Sequence, residues 1–304
     1  MEIRKTRPLV AGFFVYEKMK CSRYIACVCQ SFLSFFAVRT FMVLSEIHIY
    51  PIKSTKGISL QTAVVERRGI QFDRRWMVVD EAGMFLSQRD HPRLSLVSTK
   101  IDSEALHVEA AGMQTLELPM KQKSNEIVQV QVHDDITKGV SAGEEAENWF
   151  SNFLGVPCRV VFMPEEILRL VDTGYARDGD IVSFADAFPL LLISQASLDD
   201  LNSKLAIPVP MNRFRPNIVI SGCDAFDEDK WKEIRVGETV FYVIKPCARC
   251  VTTTVDQTTG VQGKEPLATL SKYRKVDGQV LFGQNVIPEK RGMLRVGDIV
   301  EVIS

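Results

Sequence analysis

Apolar and polar positions alternate along much of this chain, and the regular pattern begins at Leu44. Residues 44–50 alternate at a period near two, as a half-buried strand does. Trp76–Val79, a tight turn at Asp80–Gly83 and a return strand at Met84–Leu86 follow, and 94–101, 105–110 and 126–133 continue the meander. Short strands parted by turns predict a barrel or sandwich. The first helical pattern covers 143–154: acids fill its first turn, and Ala146, Trp149, Phe150, Phe153 and Leu154 share one face. Ser141 is its candidate cap and Gly155 its stop. Residues 167–182, with Asp172, Asp178, Asp180 and two Gly, read as a loop and a domain junction. Ser194 caps a second helix carrying Leu198, Leu201 and Leu205 on one side, which ends before Pro208. Arg235–Val240 recurs as Arg295–Val300, each a turn entering a strand, and a small mixed-topology β-barrel would use both. The fold class expected is α+β, mostly β: a barrel-like domain over 42–164 and a mixed β-barrel domain with a few helices over 165–304.

Composition narrows the function classes. A chain of 304 residues can bury a sizeable core, and its net charge of −1 gives no push toward nucleic acid. Four His are too few to make a His-built metal site the default. Seven Cys without disulfide-framework spacing fit a reducing, intracellular compartment, and a cytoplasmic location is the expectation. Residues 1–41 stand apart. Six Lys or Arg precede residue 24, and a mixed apolar run then extends to Val38. Three readings fit: an upstream start with Met42 as the true beginning, a membrane anchor or targeting segment through 24–44, or another ordered extension. A spanning helix needs about 20 mostly apolar residues. Gln30, Ser31, Ser34, Arg39 and Thr40 interrupt this one.

The sharpest chemical feature is Cys247-Ala248-Arg249-Cys250. Its bland reading is two half-buried small residues. Zinc wants four ligands, commonly as two close pairs, and Cys158 and Cys223 are isolated. A thioredoxin-type pair would open a helix, whereas Val251–Val255 is β-branched throughout and predicts a strand. A thiolate beside Arg249 and Lys245 remains, two cations that favour the ionised form of a soft metal donor. A second constellation is cationic. Arg213 and Arg215 flank Phe214 ahead of the apolar strand 218–220, suited to bidentate recognition of an anion. Lys53, Ser54, Thr55 and Gly57 form a short loop able to grip an anion, without the order of a Walker loop. Arg74 and Arg75 add two more cations. Singly, each reads more readily as a solvated surface charge or a salt bridge, and only their joint occurrence with the cysteine loop changes that.

Together these stretches resemble one family. Tyr50–Gly57, Asp73–Trp76, Asn212–Gly222, Cys247–Asp256, Gly263–Leu267 and Leu281–Gln284 are similar to the MOSC proteins, whose domain is related to the C-terminal part of molybdenum-cofactor sulfurase. The likeness is greatest to two-part members with an N-terminal MOSC β-barrel domain, which include the mitochondrial amidoxime-reducing component and bacterial relatives. It covers residues 44–304. The resemblance implies that Cys250 is the molybdenum ligand and catalytic residue. It implies that Lys53, Ser54, Arg74, Arg215, Asn217, Ala248 and Arg249 contact a molybdopterin cofactor. Asp186, Ala187 and Phe188 fall where the family sets a short loop against that cofactor. Ala187 and Phe188 replace its usual small hydroxylated residues, which leaves only backbone contacts there.

The implied activity is a molybdenum-dependent oxidoreductase acting on small N-hydroxylated compounds, with electrons from a separate reductase. Two rivals remain: a carrier or storage protein for the molybdenum cofactor, and a sulfur-transfer protein with a persulfide on Cys250. Pyridoxal phosphate enters only as an association of the wider family, since no desulfurase domain is recognisable in this sequence.

Overall fold

In the computed structural model, which describes residues 41–121 and 124–304, the alternating pattern becomes a set of interlocked sheets. Among the described residues the largest has nine strands. Its path runs Ile58–Leu60, Val43–Ile49, Ile218–Ser221, Leu190–Ser194, Gln279–Pro288, Thr239–Ala248, Glu233–Val236 and Val300–Val302, with Lys275–Val276 beside Gln279–Pro288. Leu190–Ser194 and Ile218–Ser221 are parallel and joined through the helix Gln195–Asn202; the other pairs are antiparallel. The far edge curls back toward the first strand. Val43 bridges Ile299, and the Leu44 N–H donates to Asp298 O at 2.9 Å. Inside this sheet Ile47, Leu192, Ile218, Ile220, Phe241 and Val286 are buried without exposure.

A second core belongs to the N-terminal half. The sheet Trp76–Val79, Arg159–Phe162, Asp135–Ser141 and Ile127–Val132 and the meander Ser98–Ile101, Ala105–Glu109 and Leu116–Pro119 contribute apolar residues to it. The helix Glu144–Leu154 adds Ala146, Trp149, Phe150 and Phe153. The two halves of the sequence share strands. Val43–Ile49 pairs with Ile218–Ser221, and Thr62–Glu66 pairs with Gly292–Arg295. All described residues fall in one compact unit.

Several expected elements shift for local reasons. Residues 94–101 were expected as one strand. Instead Pro92–Leu96 is a 3₁₀ turn, in which the Ser95 hydroxyl donates to Pro92 O at 2.8 Å, and the strand is Ser98–Ile101. The return strand at 84–86 is reduced to single bridges, Val79 to Phe85 and Met84 to Gln131. Gly143 occupies the cap of the first helix, while Ser141 accepts from the Gly143 N–H two residues earlier. Residues 167–182 hold a small strand pair, Arg169–Leu170 with Ile181–Val182. Ser194 caps its helix as expected, accepting from the Ser197 N–H. No helix among the described residues is long and apolar enough to cross a membrane. The expectations for the N-terminal extension lie outside the described residues, save at Phe41.

Candidate functional site

Five short connections meet at one recessed cavity of about 350 Å³. Lys53 and Ser54 lie in the turn after the first strand, and Arg74 in the approach to Trp76–Val79. Asp186, Ala187 and Phe188 precede Leu190–Ser194, and Arg215 and Asn217 precede Ile218–Ser221. Ala248, Arg249 and Cys250 lie where Thr239–Ala248 ends. All eleven of these residues line the cavity, as do Arg89 and His133. Five cations, Lys53, Arg74, Arg89, Arg215 and Arg249, face one lining carboxylate, Asp186. Such a wall suits an anionic ligand.

The cavity wall is strained where it is most charged. Ser54, Arg74, His133 and Arg215 have φ of 72°, 49°, 54° and 56°, a region that costs a non-glycine residue roughly 1–2 kcal/mol. Hydrogen bonds hold these turns. The Arg74 N–H donates to Tyr50 O at 2.9 Å, and Arg74 O accepts from Phe184 N–H at 3.0 Å. Gln88 Nε2 donates to Ser54 O at 2.7 Å.

Tyr50 organises the cation pair. The Arg74 and Arg215 guanidiniums stack on its ring at 4.3 and 4.1 Å, and its hydroxyl donates to Pro216 O at 3.1 Å. Burial pushes the Tyr50 phenol up to about 12, against the pull of the two arginines. Burial likewise drives Arg215 down to about 10. Asp73, buried behind Arg74, pairs with it and accepts from the Tyr50 N–H. Burial outweighs that pairing and leaves the Asp73 carboxyl above its ordinary value.

Lys53 and Asp186 form an ion pair inside the cavity, with His133 Nε2 at 3.3 Å from Asp186 Oδ1. Lys53 also donates to Phe184 O at 2.8 Å. Burial lowers the Lys53 ammonium despite Asp186. Enclosure opposes ionisation of Asp186, but the Lys53 charge and the hydrogen bonds from His133 and Lys53 win, holding it well below the usual carboxylate range. Asp186 is open to the cavity while Lys53 is buried, so the lysine bears most of the desolvation.

The cysteine loop departs from expectation in two ways. Val251–Thr254 is a 3₁₀ turn and not a strand. The threonine hydroxyls reach back three residues, Thr253 to Cys250 O at 3.0 Å and Thr254 to Val251 O at 2.8 Å, and draw the backbone out of the ladder. The preceding strand has register shifts at Val243/Lys245 and Pro246/Ala248, where a proline is tolerated. The cations are also arranged differently. Lys245 points onto the Tyr175 ring at 3.9 Å, and Arg249 donates to Cys247 Sγ at 3.1 Å and to Phe214 O at 2.6 Å. Cys250 is exposed, its Sγ 3.3 Å from Thr252 Oγ1. Arg249 Nε is buried with no hydrogen-bond partner, a spare donor on a cavity-lining residue.

Other expected cations turn away. Arg75 donates to Met163 O and Glu165, and Arg213 braces Thr253 O and Asp256. Asn217 lines the cavity, but its side chain is occupied within the protein. Its Oδ1 accepts from Arg74 Nη1 at 2.9 Å and from Leu191 N–H at 3.2 Å, and its Nδ2 donates to His48 O at 3.0 Å. It orients Arg74. Phe188 is buried against Tyr175, while Ala187 is exposed. Sequence reasoning missed Arg89 and His133: Arg89 sits in an undistinguished polar run, and His133 reads as the end of a strand. Among the described residues no three His, Cys, Asp or Glu side chains gather as a metal site, so a metal here would rest on one thiolate and on donors brought with it.

Comparison with known proteins places the chain in a family. Residues 41–157 match the MOSC N-terminal beta barrel domain, and residues 179–301 match the MOSC domain. The chain is 39% identical over 279 residues to mitochondrial amidoxime-reducing component 1 of Mus musculus, covering 86% of this chain and 82% of that protein. It is 37% identical over 284 residues to the Homo sapiens component 1, covering 86% and 83%. Against mitochondrial amidoxime reducing component 2 of Rattus norvegicus it is 40% identical over 275 residues, covering 84% and 81%. With both domain models matched in order and these relatives aligned over most of their length, the chain belongs to the MOSC family, among the two-domain members that include the mitochondrial amidoxime-reducing components.

Proposed function

We propose that this chain is an oxidoreductase that holds a molybdenum–molybdopterin cofactor in the recessed cavity and reduces small N-hydroxylated compounds, with electrons from a separate reductase. One observation carries the reading: five separate loops bring an exposed thiol and four cations to the wall of one cavity, and Arg89 adds a fifth cation from another segment. The donor set fits the group. Lys53, Arg74 and Arg215 would balance its phosphate, and the unpartnered Arg249 Nε suits an acceptor on the pterin edge. Cys250 would be the protein's metal ligand, a soft donor for a transition metal. The names of the relatives favour N-reductive chemistry on amidoximes.

When bound, the cofactor supplies two-electron redox chemistry able to accept oxygen from an N–OH group. The chain's own residues do the rest. Cys250 must give up its proton to ligate, and the Thr252 hydroxyl at 3.3 Å steadies the resulting sulfur charge. Asp186 anchors Lys53 so that its ammonium stays fixed inside the wall. Asn217 and Tyr50 hold Arg74 and Arg215 before any ligand arrives, which reduces the ordering cost of binding.

The test is elemental analysis and pterin fluorescence on the purified full chain, followed by reduction with dithionite and addition of an amidoxime. Stoichiometric molybdenum and reoxidation by the amidoxime are expected. Loaded protein that no N-hydroxylated compound reoxidises would make it a carrier, and metal-free protein after cofactor loading would overturn the reading. Cys250→Ala should lose metal while keeping pterin; unchanged metal would point to a persulfide role for Cys250.

A further inference from the structure

His133 lines the recessed cavity, and no part of the proposed chemistry uses it. It opens a two-residue turn, His133-Asp134, between the strands Ile127–Val132 and Asp135–Ser141, whose ends pair at Val132 and Asp135. Its φ of 54° lies where glycine is at home and a side chain is strained. Turn chemistry alone favours glycine there, so an imidazole kept at that position needs another reason. Its surroundings supply one. The ring meets that of Phe85 edge to face, with centroids 4.9 Å apart, and Gln131 Nε2 donates to His133 O at 2.7 Å. His133 Nε2 lies 3.3 Å from Asp186 Oδ1, while Nδ1 has no partner among the described residues. Asp186 is itself fixed by Lys53. A carboxylate that orients one ring nitrogen and leaves the other free is the arrangement of a positioned proton donor. The other charges near the ring are Lys53 and Arg89, which lie over the same Phe85 at 4.8 and 5.5 Å, and Asp134 in the turn. Asp135 is drawn off by Arg169 at 2.6 Å.

We propose that His133, oriented by Asp186, is a catalytic proton donor to the substrate in this cavity. The proposal rests on the N-reductive reading above, in which an amidoxime takes up two electrons and two protons and yields an amidine and water. The N–O bonding pair leaves with the oxygen. The two electrons from the reductase form the new N–H bond with a proton from His133. A solvent proton completes the water, and His133 recovers its own proton from solvent.

The test uses three variants of the full-length chain. His133→Gly removes the ring and suits the turn, His133→Ala removes the ring and keeps the strain, and His133→Asn tolerates the left-handed backbone but has no proton to give. In urea, cofactor-free His133→Gly should unfold at a higher concentration than His133→Ala. After cofactor loading, His133→Gly and His133→Asn should hold as much molybdenum and pterin as the parent. Reduced with dithionite and mixed with benzamidoxime, each should form benzamidine about a hundredfold more slowly than the parent. Free imidazole should then speed His133→Gly saturably and leave the parent unchanged. Rates equal to the parent's, or a slow His133→Gly that imidazole does not speed, would overturn the proposal and leave the N-reductive reading intact. Loss of pterin would overturn it by making His133 a cofactor contact. Equal stability of the Gly and Ala variants would overturn it by removing the strain that singles His133 out. A loaded parent chain that forms no benzamidine would overturn the N-reductive reading itself, and this proposal with it.

Discussion

The side-chain amides of Gln88 and Gln257 face each other reciprocally, Gln257 Nε2 donating to Gln88 Oε1 at 2.9 Å and Gln88 Nε2 to Gln257 Oε1 at 3.2 Å. Both are buried, and each also grips a loop of the cavity. Gln88 reaches Ser54 O at 2.7 Å, and Gln257 reaches Val255 O at 3.1 Å, just after the cysteine turn. The pair therefore ties the anion-gripping loop to the thiol loop across 169 positions of sequence.

Removing one amide strands the other in a buried place. Gln88→Ala and Gln257→Ala should each destabilise the fold by about 1–3 kcal/mol, read from urea unfolding. The double variant should cost less than the sum, with a coupling of about 1 kcal/mol. Strict additivity would show that the two amides act independently.

The Lys53–Asp186 pair makes a prediction in acid. The folded-state pKa of Asp186 is depressed, so its contribution is present above the unfolded carboxylate value near 3.9 and is lost as pH falls through the folded value. Asp73 works the other way: its folded pKa is raised, so protonating it favours the folded chain. Asp186→Asn should flatten the acid limb of the stability curve below about pH 4 relative to the parent. At pH 7 it should cost about 1 kcal/mol. That is less than a fully buried pair would lose, because Asp186 faces the cavity.

The four described cysteines should differ in reactivity. Cys250 is exposed, whereas burial raises the thiol of Cys158 and pushes that of Cys223 up to about 11. At pH 8 about one Cys223 in a thousand is ionised, from the ordinary titration relation. Iodoacetamide followed by peptide mass spectrometry should label Cys250 first, and Cys158 and Cys223 last. Early labelling of Cys223 in the folded chain would contradict the burial argument.

What was legible, through the loops and the family resemblance together, was most of the residues at the cavity, without Arg89 and His133; what was not was the direction each side chain takes. Lys53, Arg74, Arg215 and Cys250 sit in short loops between strong strand patterns, so local sequence places them at strand ends. Their partners are distant in sequence: Lys53 meets Asp186 across 133 positions, and Arg74 meets Asn217 across 143. No periodicity encodes such pairings. Lys245 shows the same limit, because packing against Tyr175 and Phe188 turns it from the thiol that its sequence position suggested. The strand pattern itself carried well, since burial on one face of a sheet enforces period two.

The threonine run after Cys250 shows where propensity misleads, and it can be tested directly. Val251–Val255 has the β-branching of a strand, yet Thr253 and Thr254 spend their hydroxyls on carbonyls three residues back. Thr253→Val and Thr254→Val keep the branching and remove those bonds. Each should cost about 1 kcal/mol, and the loosened turn should let Cys250 move relative to Thr252. Hydrogen exchange should then speed up at the Thr253 and Val255 amides, which donate within the turn to Cys250 O at 3.2 Å and Thr252 O at 3.2 Å. If the valine variants kept those amides protected, β-branching alone would suffice to hold the turn, and the hydroxyl bonds would be incidental to placing the thiol.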